Sequence, residues 1–212
     1  MIKFYISQII CSLILLFTNT LYSQNNNIYN NNIQLAYKKL KTKKFTRPSK
    51  KVRENIRKYE YLIQYFSSLN YTRQGYNVNP NYLKALIAAE SKGNPKAISG
   101  DNAIGLTQIV FSSAKEWAEK LANSGYDFKY INEQDLKDLT KKDLYDPAIN
   151  ILICAYITDL HNGRFGGNLA TTVAAWNAGQ YAVSKYKGIP PYEETLTLIS
   201  KVETYLHYFQ NN

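Results

Sequence analysis

The stretch AAESKGNPKAISGDNAIGLTQ, residues 88–108, places one carboxylate, Glu90, directly after an apolar run. Upstream, Asn79 and Pro80 form a capping residue followed by a proline, which is a common start of a helix. Aliphatic residues then follow at helical spacing on one face: Leu83, Leu86 and Ile87. Glu90 occupies the next position of that apolar stripe. The sequence therefore predicts a helix from Pro80 to Glu90 or the residue after it, with an acid directed along its buried face.

The position of Glu90 predicts a carboxyl group that keeps its proton near neutral pH. Burial disfavours the charged form, and the negative end of the helix dipole disfavours a further negative charge. We expect both effects to raise the pKa of Glu90 above its usual range, as in carboxylic acids that donate a proton during catalysis. The alternative is a structural glutamate that pairs with a lysine or accepts bonds from backbone amides.

Capping residues, prolines and glycines mark further helices. Apolar periodicity predicts one from Val52 to about Leu69, and a capping-box pattern of Ser113 and Glu116 predicts the start of another that Gly125 ends. Three later helices are expected at residues 146–160, 169–178 and 193–209, with the glycine-rich loop HNGRFGGN at 161–168. No alternating strand or hairpin pattern is apparent. The predicted fold class is all-α, with one compact domain at residues 55–212.

The first 23 residues have the pattern of a signal peptide. Lys3 precedes an apolar run from about Ile9 to Phe17, which is too short to cross a bilayer, and Ser23 is a small residue suited to cleavage. We therefore expect an exported protein, with an uncleaved N-terminal anchor as the alternative. A lipoprotein is disfavoured because Cys11 lacks a small residue before it.

A basic arm is predicted at residues 24–54, after the signal peptide. It opens with an Asn-rich tract, and residues 38–58 then hold eleven Lys or Arg against the single acid Glu54. This segment accounts for the formal net charge of +10 of the whole chain, so the rest of the chain is neutral. Because an exported protein seldom meets DNA, no nucleic acid partner is expected. An anionic membrane surface, wall carboxylates or an envelope assembly are the favoured partners, and a solvated linker without a partner is the alternative.

Cysteine and histidine are too scarce for a disulfide or a metal site. Cys154 is the one cysteine after the predicted signal peptide, so no disulfide can form within the mature chain. His161 and His207 are the two histidines, and with one cysteine they do not make a convincing zinc site. We interpret both histidines as packing or surface residues and expect neither a metal nor an organic cofactor.

Four segments resemble one known family in the same order. The opening stretch matches its signature without a gap at these positions: Glu90-Ser91, Asn94-Pro95, Ala97, Ser99, Ala103, Gly105-Leu106 and Gln108. The later segments are DLYDPAINI at 143–151, AAWNAGQYAV at 174–183 and GIPPYEET at 188–195. Over roughly residues 60–206 the chain resembles the soluble lytic transglycosylase (SLT) domain, the lysozyme-like family of bacterial cell-wall enzymes. The resemblance implies a lysozyme-like helical domain.

The resemblance implies cleavage of peptidoglycan by a single acid. In this family the β-1,4 bond between N-acetylmuramic acid and N-acetylglucosamine is broken, and the product carries a 1,6-anhydromuramic end. Glu90 would protonate the leaving oxygen and then, as a base, deprotonate the C6 hydroxyl of the muramic sugar. The substrate's own N-acetyl group would replace the second carboxylate of ordinary glycosidases. The implied partner is the glycan strand, in the periplasm or elsewhere in the cell envelope.

The resemblance also implies residues that bind the glycan: Ser99, Gln108, Trp176, Asn177, Tyr192 and Glu194. Ser99 would orient the acid or the acetamide, and Gln108 would bond a sugar; their alternatives are a turn serine and a tie within a loop. Asn177 either bonds the ligand or braces a helix end. Glu194 either lines the cleft or is a solvated acid at a helix start, and Tyr192 either stacks on a sugar or belongs to the core or surface. Gly105 is expected to serve the backbone, through a turn or a close approach.

Three positions depart from the family pattern. Thr107 and Phe111 stand where the family has methionine and proline, and Trp176 replaces the tyrosine of its Ala-Tyr-Asn-Ala-Gly segment. An indole N–H donates a hydrogen bond but cannot accept one, in contrast to a tyrosine hydroxyl. Two alternatives stay open. One is a hydrolase similar to goose-type lysozyme, in which Asp101 would hold a water instead of serving a turn. The other is a glycan-binding or assembly module with weak catalysis.

Overall fold

Helices form most of residues 45–72 and 77–212, the part of the chain that the computed structural model describes. In chain order they are α1 (Lys50–Arg57), α2 (Glu60–Ser68), α3 (Pro80–Glu90), α4 (Phe111–Ala122), α5 (Glu133–Lys137), α6 (Pro147–Arg164), α7 (Leu169–Ala178), α8 (Gln180–Lys185) and α9 (Glu193–Gln210). A 3₁₀ turn, Asp143–Tyr145, leads into α6. The predicted all-α class is confirmed. The predicted signal peptide and the Asn-rich part of the arm lie outside the described residues.

Side-chain caps start the helices that build the site. Asn79 accepts a hydrogen bond from the backbone N–H of Asn81 at 2.9 Å ahead of α3, and Asp146 accepts one from Ala148 at 2.7 Å ahead of α6. Asn168 caps α7 in the same way. In α3 and α6 a proline follows the cap, where its missing N–H costs no helical bond. The predicted starts of α3 and α6 and both predicted ends of α7 are therefore confirmed.

The N-terminal helix differs from its prediction in two ways. The single helix expected from Val52 to Leu69 is broken at Lys58 and Tyr59, which separate α1 from α2. The apolar period continues across the break because both helices bury residues in one core, so the pattern alone did not reveal it. In addition, α1 begins at Lys50, inside the segment predicted as the arm, because the Ser49 hydroxyl caps it.

Two other helix ends differ from the prediction. The capping box at Ser113 is wrong, since α4 begins at Phe111 and Val110 occupies the cap position without a side-chain bond. The preceding strand runs directly into α4 and fixes its start. The glycine-rich loop is shorter than expected, because α6 continues to Arg164 with His161 buried in its last turns.

A short antiparallel ribbon corrects the expectation that the chain has no strand. It consists of β1 (Ala103–Ile104) and β2 (Ile109–Val110), with Ala103 opposite Val110 and Ile104 opposite Ile109. Two-residue strands are too short to produce an alternating pattern in the sequence. The ribbon pairs two parts of the segment that connects α3 to α4.

The long helix α6 lies at the centre of the core. Ile151, Leu152 and Ile153 are fully buried although they point in different directions, because α6 packs against α2, α4 and α7. Helix α9 packs against α3 and α7, so later helices meet the end of α3 that carries Glu90. No helix within residues 45–72 and 77–212 is long and apolar enough to span a membrane.

Candidate active site

A cleft of about 540 Å³ opens at the end of α3. Five of the six predicted binding residues line it together with the predicted acid: Glu90, Ser99, Gln108, Trp176, Asn177 and Glu194. We call the residues from helix ends (Glu90, Trp176, Asn177 and Glu194) the helix wall, and those from the segment between α3 and α4 (Ser99, Asp101 and Gln108) the loop wall. Positions that are far apart in the sequence therefore meet in one cavity.

Glu90 ends the apolar stripe of α3, as the sequence predicts. Leu83, Leu86 and Ile87 are fully buried, and Glu90 follows them at the edge of the cleft with partial exposure. The indole Nε1–H of Trp176, from the end of α7, donates to Oε1 of Glu90 at 3.2 Å. The carboxyl group thus has one fixed donor and also borders the cleft.

Burial raises the pKa of Glu90 to about 7, in the direction that the sequence predicted. The hydrogen bond from Trp176 and the positive charge of Lys201 favour the ionised form and oppose this rise. The nearby carboxylate of Glu194 adds to the rise. Because the resulting pKa lies near neutral pH, the group can both release and take up a proton there.

Asn177 and Glu194 connect the ends of two helices within the helix wall. The Thr195 hydroxyl donates to Oδ1 of Asn177 at 2.5 Å, and the amide of Asn177 donates to Oε1 of Glu194 at 3.5 Å. These bonds join the end of α7 to the first turn of α9. Asn177 therefore braces a helix end, as its structural alternative held, while it also lines the cleft.

The loop wall uses its polar atoms on its own backbone. Oγ of Ser99 accepts from the N–H groups of Asp101 at 3.2 Å and Ala103 at 3.1 Å, which is a serine turn. The amide of Gln108 donates to the carbonyl oxygens of Ala97 at 3.2 Å and Gly105 at 2.9 Å. Ser99 thus makes the contacts of a turn serine, and Gln108 makes those of a tie within a loop. Both residues also line the cleft.

Asn150, a buried residue of α6 that sequence reasoning missed, stabilises the loop wall through hydrogen bonds. Oδ1 of Asn150 accepts from the N–H and the hydroxyl of Thr107 at 3.0 and 2.7 Å, and its amide donates to Ile104 and Leu144 carbonyls at 3.1 and 2.9 Å. Gly105 lies against it with φ of +81°, and a Cβ there would be 2.3 Å from the Asn150 amide nitrogen. Gly105 therefore serves both a turn and a close approach, as predicted.

The cleft lining also contains four residues that the sequence did not assign to the site: Glu116, Trp117, His161 and Gln180. Glu116 and Trp117 lie on α4, His161 on α6 and Gln180 on α8. A helical pattern does not distinguish such residues from ordinary packing residues. Burial, aided by the charge of Arg164, lowers the pKa of His161 to about 4, so this imidazole is neutral at physiological pH. The interpretation of His161 as a packing residue is confirmed, since it is only 6% exposed.

Tyr192 is the predicted binding residue that the structure leaves out of the cleft lining. It precedes α9 with 43% of its surface exposed, and its ring meets the edge of Tyr186 at a centroid distance of 5.8 Å. The alternative given for Tyr192, a surface residue, fits this position better than stacking on a sugar. Asp101 is exposed on the loop wall and stays within reach of the cleft. Among the described residues, no cluster of His, Cys, Asp or Glu could hold a metal ion.

Known proteins with related sequences share one activity in their names. A membrane-bound lytic murein transglycosylase E of Buchnera aphidicola is 30% identical over 171 residues, which are 75% of this chain and 74% of that protein. A Haemophilus influenzae protein named for soluble lytic murein transglycosylase is 30% identical over 160 residues, which are 69% of this chain and 25% of that protein. The crystal structure of the 70-kDa soluble lytic transglycosylase of Escherichia coli matches with a TM-score of 0.58 and 25% identity, covering 72% of this chain and 24% of that chain.

The chain thus spans about a quarter of the two longer relatives and about three quarters of the Buchnera protein. The family model of the transglycosylase SLT domain matches residues 67–198, which is more than half of the chain. This match confirms the resemblance that rested on four motifs. The chain belongs to the transglycosylase SLT domain family, within the lysozyme-like superfamily.

Proposed function

We propose that the protein is a peptidoglycan lytic transglycosylase in which Glu90 acts first as acid and then as base. One observation carries the proposal: a carboxyl group with its pKa raised to about 7 borders a cleft and is held there by the Trp176 indole. The names of the relatives, all murein transglycosylases, support the substrate class.

The first step is transfer of the Glu90 proton to the glycosidic oxygen between N-acetylmuramic acid and N-acetylglucosamine. The bond from this oxygen to C1 of the muramic sugar breaks, and the carbonyl oxygen of the substrate's own acetamide bonds to C1. The ionised Glu90 then takes the proton of the C6 hydroxyl, and O6 bonds to C1 as the acetamide leaves. The product is a 1,6-anhydro sugar, and no water is consumed.

A pKa near 7 suits a group that serves in both directions. A carboxylic acid with an ordinary pKa would be ionised at neutral pH and could not protonate the leaving oxygen. A carboxyl group with a much higher pKa would seldom be available as the base. Burial supplies the rise, and Trp176 and Lys201 limit it.

The glycan is proposed to lie along both walls of the cleft. Ser99, Gln108 and Asn177 line the cleft together with the acid, and Trp176 presents part of its ring. Tyr192 is not included, because it lies outside the lining. Asp101 favours one alternative, a hydrolase in which this carboxylate holds a water.

We also propose that the protein works in the periplasm or elsewhere in the cell envelope, where its substrate lies. The sequence pattern of residues 1–23 and the membrane-bound or soluble murein enzymes among its relatives support this location. The basic arm is proposed to bind an anionic membrane surface. In its described part, Arg47, Lys50 and Lys51 are exposed.

The arm proposal is tested by deleting residues 38–44, which leaves the Ser49 cap of α1 intact. We expect weaker sedimentation with vesicles that contain anionic phospholipid and unchanged sedimentation with neutral ones. Unchanged binding to anionic vesicles would make the arm a solvated linker.

The enzyme proposal is tested by mass spectrometry of soluble products after incubation of the protein with purified peptidoglycan. We expect 1,6-anhydromuropeptides from the wild type, none from Glu90→Gln, and the wild-type pattern from Glu119→Gln, which removes an exposed carboxylate of α4 as a control. Reducing muramic ends would instead indicate a hydrolase and direct attention to Asp101. If no product appears, binding to sacculi by the wild type would favour the glycan-binding module.

A further inference from the structure

A lysine on the last helix contacts the turn that carries the acid. Nζ of Lys201 in α9 donates a hydrogen bond to the backbone carbonyl oxygen of Ala89, the residue directly before Glu90. The two residues are 112 positions apart. Helix α3 has no basic residue in its own last turn. The cation that bonds this helix end therefore comes from a different part of the chain.

The end of a helix is where such a cation is most effective. The last carbonyl groups of a helix lack intrahelical partners, and they carry the negative end of the helix dipole. Lys201 satisfies one of these carbonyls with a charged donor, and Ser91 N–H donates to the Ile87 carbonyl one turn earlier. The two bonds hold the final turn of α3 and so fix the backbone from which the Glu90 side chain projects.

The surroundings of Lys201 also tie its charge to the acid. Its side chain is partly buried. Burial lowers the pKa of Lys201, while the carboxylate of Glu90 favours its charged form. The same attraction favours the ionised form of Glu90. Each group therefore stabilises the charge of the other.

We propose that Lys201 is a positioning residue for Glu90. It holds the last turn of α3 through the Ala89 carbonyl and places a positive charge at the helix end that carries the Glu90 carboxylate. The effect of Lys201 on catalysis rests on the proposed function, whereas its effect on the titration of Glu90 does not. Lys201 is not among the residues that line the cleft, so it acts through Glu90 and not on the glycan.

Several other groups act on the same carboxyl group. Trp176 from α7 favours its ionised form, and Glu194 from α9 disfavours it. Burial raises the pKa values of Tyr82 of α3 and Cys154 of α6, and the charge of Glu90 adds to this rise, so both groups stay neutral. Lys92 acts on Lys201 and lowers its pKa. Without Lys201, Trp176 alone would oppose burial and Glu194.

Three substitutions separate the two parts of the role. Lys201→Met removes the bond and the charge, Lys201→Gln keeps a donor for the Ala89 carbonyl without the charge, and Lys201→Arg keeps both. Lys115→Met removes an exposed lysine of α4 and serves as the matched control for net charge. Two readouts are measured: the pH profile of peptidoglycan cleavage, and the titration of the Glu90 carboxyl carbon followed by NMR in ¹³C-labelled protein.

We expect Lys201→Met to lower kcat about tenfold at its pH optimum with little change in KM, because the acid is less well placed. In Lys201→Met and Lys201→Gln, Glu90 should titrate at higher pH than in the wild type, and the alkaline limb of the cleavage profile should move with it. Lys201→Arg and Lys115→Met should retain the wild-type titration.

The proposal is overturned if Glu90 titrates in Lys201→Gln as it does in the wild type. The Gln variant decides this even if Lys201→Met does not fold. If the wild type cuts peptidoglycan and Glu90 titrates in Lys201→Gln as in the wild type, the role of Lys201 is rejected and the proposed function stands. A wild type that releases no product would reject the proposed function, while the NMR titration would still decide whether Lys201 acts on Glu90.

Discussion

The two walls of the cleft contain similar kinds of residues and use them differently. On the loop wall, Ser99 and Gln108 direct their polar atoms to backbone groups of their own segment. On the helix wall, Trp176 donates directly to the carboxyl group of Glu90, and the carboxylate of Glu194 acts on it through its charge. Bonds to local backbone set the shape of a loop, whereas bonds to an ionisable side chain set its proton affinity. The loop wall therefore shapes the cleft, and the helix wall prepares the acid.

The residue that supports the loop wall should have the largest effect on stability. Asn150→Ala removes four hydrogen bonds from a buried site. We expect the free energy of unfolding to fall by about 4 kcal/mol, measured by urea denaturation. Asn123→Ala, which removes one bond at an exposed helix end, is the control and should cost far less. Equal losses for the two variants would contradict a special role for Asn150.

On the helix wall, burial of Glu90 should make the free energy of unfolding depend on pH. The folded pKa of Glu90, about 7, lies above its usual value of 4.5, so the folded state loses stability as pH rises from about 4.5 to 7. Glu90→Gln removes this loss. The variant should match the wild type at pH 4 and exceed it by about 3 kcal/mol at pH 8 in urea denaturation. Parallel stability curves for the two proteins would show that Glu90 titrates normally.

A smaller effect is expected from the donor to the acid. Trp176→Phe removes the indole N–H that favours the ionised carboxylate, so Glu90 should titrate at higher pH and the alkaline limb of cleavage should move upward. We expect kcat/KM to fall about tenfold, since a bond to a charged group is lost. Trp117→Phe changes the other tryptophan of the cleft, and its pH profile should stay that of the wild type. If the alkaline limb of the pH profile is the same in both variants, Trp176 does not influence the pKa of Glu90.

The smallest effect separates the two interpretations of Gln108. Its amide bonds the Ala97 and Gly105 carbonyls, so Gln108→Ala should lower the free energy of unfolding by about 1 kcal/mol. If the amide serves the loop alone, KM for a soluble glycan fragment should change little. A large rise in KM with unchanged stability would assign Gln108 to the glycan and weaken the contrast between the two walls.

Local signals in the sequence anticipated the elements that build the site. Caps and prolines start α3 and α6 where they were expected, because a cap bonds within its own first turn. The predicted capping box at Ser113 was wrong, because the strand pairing of Ile109 and Val110 sets the start of α4 instead. Long-range pairing therefore overrode a local pattern.

The contacts that prepare the acid could not be predicted in this way. Glu90 meets Trp176 across 86 positions, Lys201 meets the Ala89 carbonyl across 112, and Asn150 meets Thr107 across 43. A periodic pattern reports which face of a helix is buried but not which residue of another helix lies against it. The family resemblance placed Trp176 in the site, and only the packing of α7 showed that its N–H meets the acid.

The sequence by itself determined that an acid ends a buried stripe, because spacing along a helix fixes the direction of each side chain. That information was enough to predict the direction of the pKa shift of Glu90. The tertiary structure decided where the shift stops, since the opposing donor and cation come from α7 and α9. It also decided that Tyr192 stays outside the cleft and that Ser99 and Gln108 bond their own loop. Electrostatic balance depends on distances between distant residues, and only the folded chain sets those distances.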